Sequence, residues 1–350
     1  MPNLNLSITM LARFQLLIVG CLFALSSSAY SVTDTSADPL VFADEPLAEA
    51  TVLPDWFKLS FLDLKDSLKE AKQTGKRGLL IYFHRQDCAY CNAQLEVNWG
   101  SKDIVNYTRK HFDVIAIDVR GARTVTDFDG TTATEKSYAA RMQTNFTPSF
   151  LFYDTSGKLA LRLPGFRPPY QFRAALEYVA DQHYLRTSFA DYLAGAEAAL
   201  SFGQEELNEN DAFIPAPYNF DRSRIASKRP LLVFFEHTRC HACDLLHAGP
   251  MSNAVVTKQL ADLDVAQLDI YADIPVITPD GKKTTSRAWA RQLELNFAPT
   301  LIFFDEHGKE IIRVESIVRL YRLNKVLTYI RDQGYKKYPT LQLWQQSQKH

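Results

Sequence analysis

The chain repeats itself. Laid over its own sequence at an offset of 151, Asp118 falls on Asp269, Asp129-Gly130 on Asp280-Gly281, Asn145-Phe146 on Asn296-Phe297, Pro148 on Pro299, Gly157-Lys158 on Gly308-Lys309 and Tyr184 on Tyr335. Two C-x-x-C pairs, Cys88/Cys91 and Cys240/Cys243, align at 152, one insertion away. Chance supplies one or two such matches. A collinear series running through apolar runs, turns and aromatic residues marks a duplication, so the two halves must share one architecture. The length of 350 residues agrees with two domains of roughly 100–200 residues each.

Periodicity and punctuation predict the order β-α-β-α-β-β-α in each half. In the first half an amphipathic lead-in helix is expected over 63–72, before a continuously apolar run at 78–83 of the kind that forms a strand covered on both faces. A helix follows from Cys88 to 97, then a strand at 112–117, a helix at 136–143, strands at 149–153 and 159–163, and a helix at 169–178. The second half predicts strands at 231–235, 265–270, 300–305 and 310–314, with helices from Cys240, at 286–295 and at 323–332. Domains are expected over 51–200 and 218–345, joined by a polar linker at 201–217 that ends in Ile-Pro-Ala-Pro.

Composition narrows the setting. With 46% hydrophobic and 23% charged residues and no low-complexity tract, disorder is confined to the ends and the linker. The 39 basic and 40 acidic side chains nearly cancel, which argues against a nucleic acid or an anionic membrane surface as partner. At the N-terminus, Arg13 precedes an apolar run at 16–25 and the small residues 26–29. A run this short falls below the roughly 20 residues of a spanning helix and reads as a signal peptide over 1–29, followed by a flexible segment at 30–50. Ile18-Val19-Gly20-Cys21 also resembles a lipobox, with Cys21 as the lipidated residue; the apolar residues 22–25 beyond the cysteine favour simple cleavage near Ala29. Either route predicts export to the periplasm, with no membrane span after cleavage.

Export leaves four cysteines in two close pairs, which in an oxidising compartment are redox-active, metal-binding or structural. A C-x-x-C pair at a helix start places its first sulfur beside unpaired backbone N–H groups and the positive end of the helix dipole, both of which favour thiolate. Cys88 and Cys240 are therefore expected to be exposed nucleophiles. Cys91 and Cys243, one turn further in, are expected to resolve the mixed disulfide. Pro148 and Pro299 each precede a short apolar strand about 60 residues after the cysteines. Both are predicted to be cis, lying against the disulfide and leaving the backbone of Thr147 or Ala298 free to pair with an extended substrate.

Strand, C-x-x-C, helix, and Thr-Pro or Ala-Pro before the next strand together resemble the thioredoxin superfamily. Residues 127–130, Thr147-Pro148-Ser149-Phe150-Leu151-Phe152-Tyr153-Asp154, Leu163-Pro164-Gly165-Phe166 and 172–184 further resemble the SoxW-like, thioredoxin-related periplasmic proteins. The likeness covers 52–184 and, more loosely, 229–335. It implies an α/β fold of two tandem thioredoxin-like domains, each a central mixed β-sheet flanked by helices. It also implies reduction or exchange of disulfides in exported proteins, including those of sulfur-oxidation or cytochrome-maturation pathways. The expected partners are exported cysteine-containing clients and a membrane or periplasmic thiol electron donor, with no cofactor beyond the redox-active disulfides Cys88-Cys91 and Cys240-Cys243.

The chain departs from the thioredoxin pattern in instructive places. Trp-Cys-Gly-Pro-Cys is replaced by Asp87-Cys88-Ala89-Tyr90-Cys91 and Arg239-Cys240-His241-Ala242-Cys243. Where thioredoxin keeps a buried Asp six residues before the first cysteine, Tyr82 and Phe234 stand here; Glu236 is the candidate substitute in the second half, and its counterpart is His84. Pro164-Gly165 becomes Glu315-Ser316, so the two grooves are expected to differ. His241 reads either as a cation that stabilises the Cys240 thiolate or as an exposed residue of little influence, and Tyr90 either as a substrate-contacting ring or as a packed one. His84, Arg85, His237 and Arg239 either steer acidic partners or are solvated loop charges. Two other classes stand beside the oxidoreductase: a zinc or copper site built from the cysteines with His84, His237 or His241, and an interaction protein whose disulfides only staple helix starts.

Overall fold

The computed structural model describes residues 38–197 and 206–348; the predicted signal peptide, Cys21 and the linker residues 201–205 lie outside them. The first copy runs through α1 (Leu64–Gln73), β1 (Gly78–His84), α2 (Ala89–Ala93) continuing into a π-turn at Gln94–Asn98, α3 (Lys102–His111), β2 (Phe112–Asp118), the small strands β3 (Thr124–Thr126) and β4 (Thr132–Thr134), α4 (Glu135–Arg141), β5 (Ser149–Asp154), β6 (Leu159–Pro164), α5 (Pro169–Ala180) and α6 (Phe189–Glu197). The second comprises β7 (Tyr218–Asn219), β8 (Leu231–Glu236), α7 (His241–Ala248), α8 (Ala254–Leu260), β9 (Asp264–Asp269), β10 (Pro275–Ile277), β11 (Lys283–Thr285), α9 (Ser286–Gln292), β12 (Thr300–Phe304), β13 (Glu310–Glu315), α10 (Leu320–Arg331) and α11 (Leu341–Ser347).

The main sheets have the orders β2-β1-β5-β6 and β9-β8-β12-β13. Each is mixed, because β1 and β8 pair in parallel with β2 and β9 and antiparallel with β5 and β12. Alternation along a strand explains the apolar runs. β1 sends Leu80 and Tyr82 into one core and Leu79, Ile81 and Phe83 into another on the opposite face. In the second copy β8 divides Leu232 and Phe234 from Leu231, Val233 and Phe235 in the same way. The expected α/β fold class is therefore found in both halves. Helices α3, α8, α6 and α11 were not read from the sequence. The helix predicted from Cys88 to 97 loses its regular register after Ala93, where the π-turn inserts the buried Gln94 and Asn98, and Asn98 donates to the Arg167 carbonyl at 3.0 Å.

The described residues belong to one compact unit, and the copies meet through like surfaces. Phe146 is part of the second copy's core, and Phe297, its counterpart at 151, is part of the first copy's core. Ile317 donates its N–H to the carbonyl of its own counterpart, Phe166, at 3.3 Å. Gly165 faces its counterpart Ser316 so closely that a Cβ on Gly165 would stand 2.1 Å from the serine Cβ. The sequence change from Gly165 to Ser316 is thus explained by contact between the two turns. The fully buried Arg167 lies over the Phe297 ring at 4.3 Å and donates to the Asn296 side-chain oxygen at 3.1 Å.

The lead-in at 38–50, expected to be flexible, is packed from Asp38 onward. Leu40 is buried in the first core with Phe42 beside it, and the Leu47 and Thr51 N–H groups donate to the carbonyls of Asp87 and Gln86. Its apolar side chains have a ready surface where the two copies adjoin, which the chain's local sequence does not reveal.

Candidate active site

Strand register brings the functional groups together. In the antiparallel pairing Phe83 stands opposite Ser149 and Phe235 opposite Thr300. The residues just before β5 and β12 therefore arrive beside the ends of β1 and β8, where the C-x-x-C segments begin. Thr147-Pro148 and Ala298-Pro299 are both cis, as the sequence predicts; Ala216-Pro217, for which no such prediction was made, is cis as well.

Cys88 and Cys91 form one disulfide, and Cys240 and Cys243 form the other. Cys88 is the N-cap of α2 and its Sγ accepts the Cys91 N–H at 3.0 Å; Cys240 caps α7 and accepts the Cys243 N–H at 3.1 Å. A donor already aimed at the sulfur favours the charged form once the bond is reduced. Thr147 Oγ1 lies 3.3 Å from Cys88 Sγ, and toward a disulfide sulfur only the hydroxyl can donate. Ala298 has no hydroxyl to offer Cys240.

The first cysteines are far less exposed than expected, with Cys88 at 2% and Cys240 at 6%. The cause is the meeting of the copies: α7 packs Ala242 and Leu245 against the first copy's core, while α10 and α11 lie over Cys88. Tyr90 takes the packed alternative. Its hydroxyl donates to Asp44 Oδ2 at 2.9 Å and accepts the Arg319 N–H at 2.8 Å, and burial raises its pKa well above the usual range, so it stays neutral. Above its ring, 3.3 Å from the centroid, sits the Arg322 guanidinium, which donates through Nη2 to the Thr147 carbonyl at 2.9 Å and through Nη1 to Ser316 Oγ at 2.9 Å. The backbone carbonyl that was expected to be free for substrate is therefore occupied from the second copy.

Asp44 completes this arrangement. Its Oδ1 accepts the Tyr321 N–H and its Oδ2 the Arg322 N–H, each at 2.8 Å. These are first-turn donors of α10, whose own N-cap residue, Arg319, provides no side-chain acceptor. Asp44, Arg167 and Arg322 were missed in the sequence because their partners lie in the other copy. The available signals were an arginine on the apolar side of α10 and a helix start without a capping residue.

In the second site His241 has a side chain 63% exposed and pairs through Nε2 with Asp38 at 2.6 Å. Glu236 is fully buried and holds two partners, with His247 Nε2 3.1 Å from both carboxylate oxygens and Gln267 Nε2 donating at 2.7 Å. The first copy has His84 in its place, whose pKa burial lowers despite the nearby carboxylates Asp118 and Glu135. Tyr82, at the position of the thioredoxin acid, is buried and its hydroxyl lies 3.5 Å from the Cys91 carbonyl. Of the loop charges, Arg85 pairs with Asp87 and lines the space above Cys88. The His237 ring lies 5.4 Å from that of Tyr271 and its Nδ1 accepts the Arg239 N–H at 3.3 Å. Among the described residues no group of three or more His, Cys, Asp or Glu is placed to hold a metal ion, and no helix is long and apolar enough to cross a membrane.

A sequence model of the thioredoxin-like domain matches the chain twice, over residues 64–180 and 219–331. Among solved structures, a thioredoxin-fold protein from Helicobacter pylori is similar at 24% identity, covering 41% of this chain and 89% of its own, with a TM-score of 0.32. A thioredoxin from Thermus thermophilus matches at 23% identity over 30% of this chain and 76% of its own, TM-score 0.25. One from Fasciola hepatica matches at 21% over 30% and 83%, TM-score 0.22. No curated protein matches the chain. With both matched segments centred on a C-x-x-C disulfide and a cis proline, and together spanning well over half the sequence, the chain belongs to the thioredoxin-like domain family and carries that domain in duplicate.

Proposed function

We propose that the protein is an exported thiol-disulfide oxidoreductase that reduces or exchanges disulfides in periplasmic partners at two sites. Cys88 and Cys240 act as nucleophiles and Cys91 and Cys243 as resolving thiols. The observation that carries the reading is the first site: a disulfide sulfur at a helix N-cap, 3.3 Å from the hydroxyl of the residue before a cis proline. Attack by the Cys88 thiolate on a partner disulfide forms a mixed disulfide, which Cys91 then resolves. Export is supported by the leader-like residues 1–29, and a SoxW-like role by the motifs at 127–130, 147–154 and 163–166. Clients with exposed cysteines and a periplasmic or membrane thiol donor complete the cycle.

The test is exchange with an insulin disulfide by the reduced chain and by Cys88→Ser, Cys240→Ser and the double variant. Each single variant is expected to lose one site's contribution and the double variant all of it; undiminished turnover by the double variant would falsify the reading. Cys91→Ser and Cys243→Ser variants in the exporting cell are expected to trap separate partners. N-terminal analysis of the exported protein checks for cleavage after Ala29 or a lipid on Cys21.

The low exposure of Cys88 and Cys240 favours a second reading, in which the disulfides staple helix starts. In that case reduction lowers stability and no variant changes any exchange rate.

A further inference from the structure

The space above Cys88 is a narrow crevice between the copies, with Arg85, Thr147, Arg322, Lys325 and Gln345 among its lining residues. An extended protein segment finds one of its two backbone partners there already taken, since the Thr147 carbonyl accepts from Arg322. A small molecule needs only to reach the sulfur.

The charge of this wall is one-sided. Asp44 is the one carboxylate among the lining residues, and both its oxygens are engaged by the α10 N–H groups and Tyr90. Asp87 answers Arg85 but is shared with Arg120. Arg322 donates to the neutral Thr147 and Ser316 oxygens. Lys325 lies 5.3 Å from the Tyr321 ring centroid and forms no ion pair with any described residue. The wall thus keeps excess positive charge beside the Cys88 sulfur.

We infer that the Cys88 pair exchanges with small anionic thiols and disulfides, which the basic crevice admits and attracts, in preference to folded protein clients. This rests on the oxidoreductase reading and narrows it for one of the two sites. The Cys88 thiolate attacks one sulfur of the anionic disulfide, whose S–S bond breaks and whose first half leaves as a thiolate that takes a proton. Cys91 then attacks Cys88 Sγ, expels the second half as thiol and closes the Cys88-Cys91 bond. Two electrons and two protons pass from the protein to the small disulfide; in reverse, two small thiols reduce the protein.

The second site supplies the internal control. The counterparts of Arg322 and Lys325 at 151 are Gln171 and Ala174, and the counterpart of Arg85 at 152 is His237. Asp38 is bonded to His241, Asp244 adjoins Cys243 and Arg239 precedes Cys240, so charges of both signs stand beside this pair. The second pair therefore faces mixed charge, and selectivity for anions is expected at the Cys88 pair.

The experiment uses the exported chain in two forms, Cys240→Ser/Cys243→Ser to report the first pair and Cys88→Ser/Cys91→Ser to report the second. Each reduced form is oxidised by glutathione disulfide (anionic), 2-hydroxyethyl disulfide (neutral) and cystamine (cationic). Relative to the second pair, the first is expected to favour glutathione disulfide over cystamine by about tenfold, as expected of a charge-lined cleft. Lys325→Gln is expected to shrink that ratio and Lys325→Arg to keep it. Equal probe ratios at the two pairs, or a ratio untouched by Lys325→Gln, overturn the inference and leave the oxidoreductase reading intact. Failure of both pairs to react with any disulfide overturns that reading instead, and this inference with it.

Discussion

Phe146 and Phe297 exchange places: each aromatic ring, 151 residues from its counterpart, is built into the core of the other copy. The halves therefore do not stand as beads on a linker. Truncating either ring to alanine removes a large buried side chain, so Phe146→Ala and Phe297→Ala are each expected to cost about 3–5 kcal/mol. In urea, a single cooperative transition is expected to separate into two; a transition that stays single with an unchanged midpoint contradicts this exchange of rings.

Arg322 ties α10 to the Thr147 carbonyl and covers the Tyr90 ring. Its replacement by alanine leaves a buried carbonyl without that donor, a loss of about 1–3 kcal/mol. The same change clears the groove beside Pro148, so insulin reduction by the Cys88 pair is expected to rise several-fold while chemical stability falls. A parallel fall in both quantities shows that Arg322 is not a barrier to protein substrates.

Asp44 serves as the missing cap of α10. Asp44→Ala is expected to lower stability by about 1 kcal/mol, the usual worth of a cap, and to release the lead-in. Limited proteolysis checks this: cleavage within 38–50 should accelerate in the variant and remain slow in the parent.

Gly165 has φ +78° and no room for a methyl group opposite Ser316. Gly165→Ala is expected to destabilise by more than about 1 kcal/mol, the ordinary penalty for a residue whose native conformation does not suit it. Adding Ser316→Gly removes the close atoms but not the backbone requirement, so rescue should be partial. A double-mutant cycle without coupling refutes the contact.

Burial holds the His84 pKa below its ordinary 6.5. The unfolded chain then binds more protons than the folded one between that lowered value and 6.5, so this residue's contribution is complete above pH 6.5 and is lost on acidification. The urea midpoint is expected to fall as pH drops below 6.5, and His84→Gln should flatten the slope. An identical slope in the variant assigns the effect elsewhere, for instance to His111, whose pKa is also lowered by burial.

Local patterns carried the active segments: the apolar β1 and β8, cysteines at helix starts, and the two prolines stand where spacing predicts. The helix α3 was lost because polar residues dominate 102–111 and only Ile104 and Thr108 are buried there. The cover over Cys88 was illegible for a different reason. Tyr90 and Arg319 are separated by 229 residues and Asp44 and Arg322 by 278, so no periodicity links them. The duplication points to two related sites, and the residues that make them unlike are partly legible in the aligned copies, Thr147 against Ala298 and His84 against Glu236, and partly those facing across the copies.

A position on a rotation axis meets its own image, so in a symmetric pair of separate chains glycine would confront glycine and serine would confront serine. Here Gly165 confronts Ser316. Joining the two bodies in one polypeptide lifts the requirement of self-complementarity, and one half gives up a side chain so that the other can keep its hydroxyl as an acceptor for Arg322.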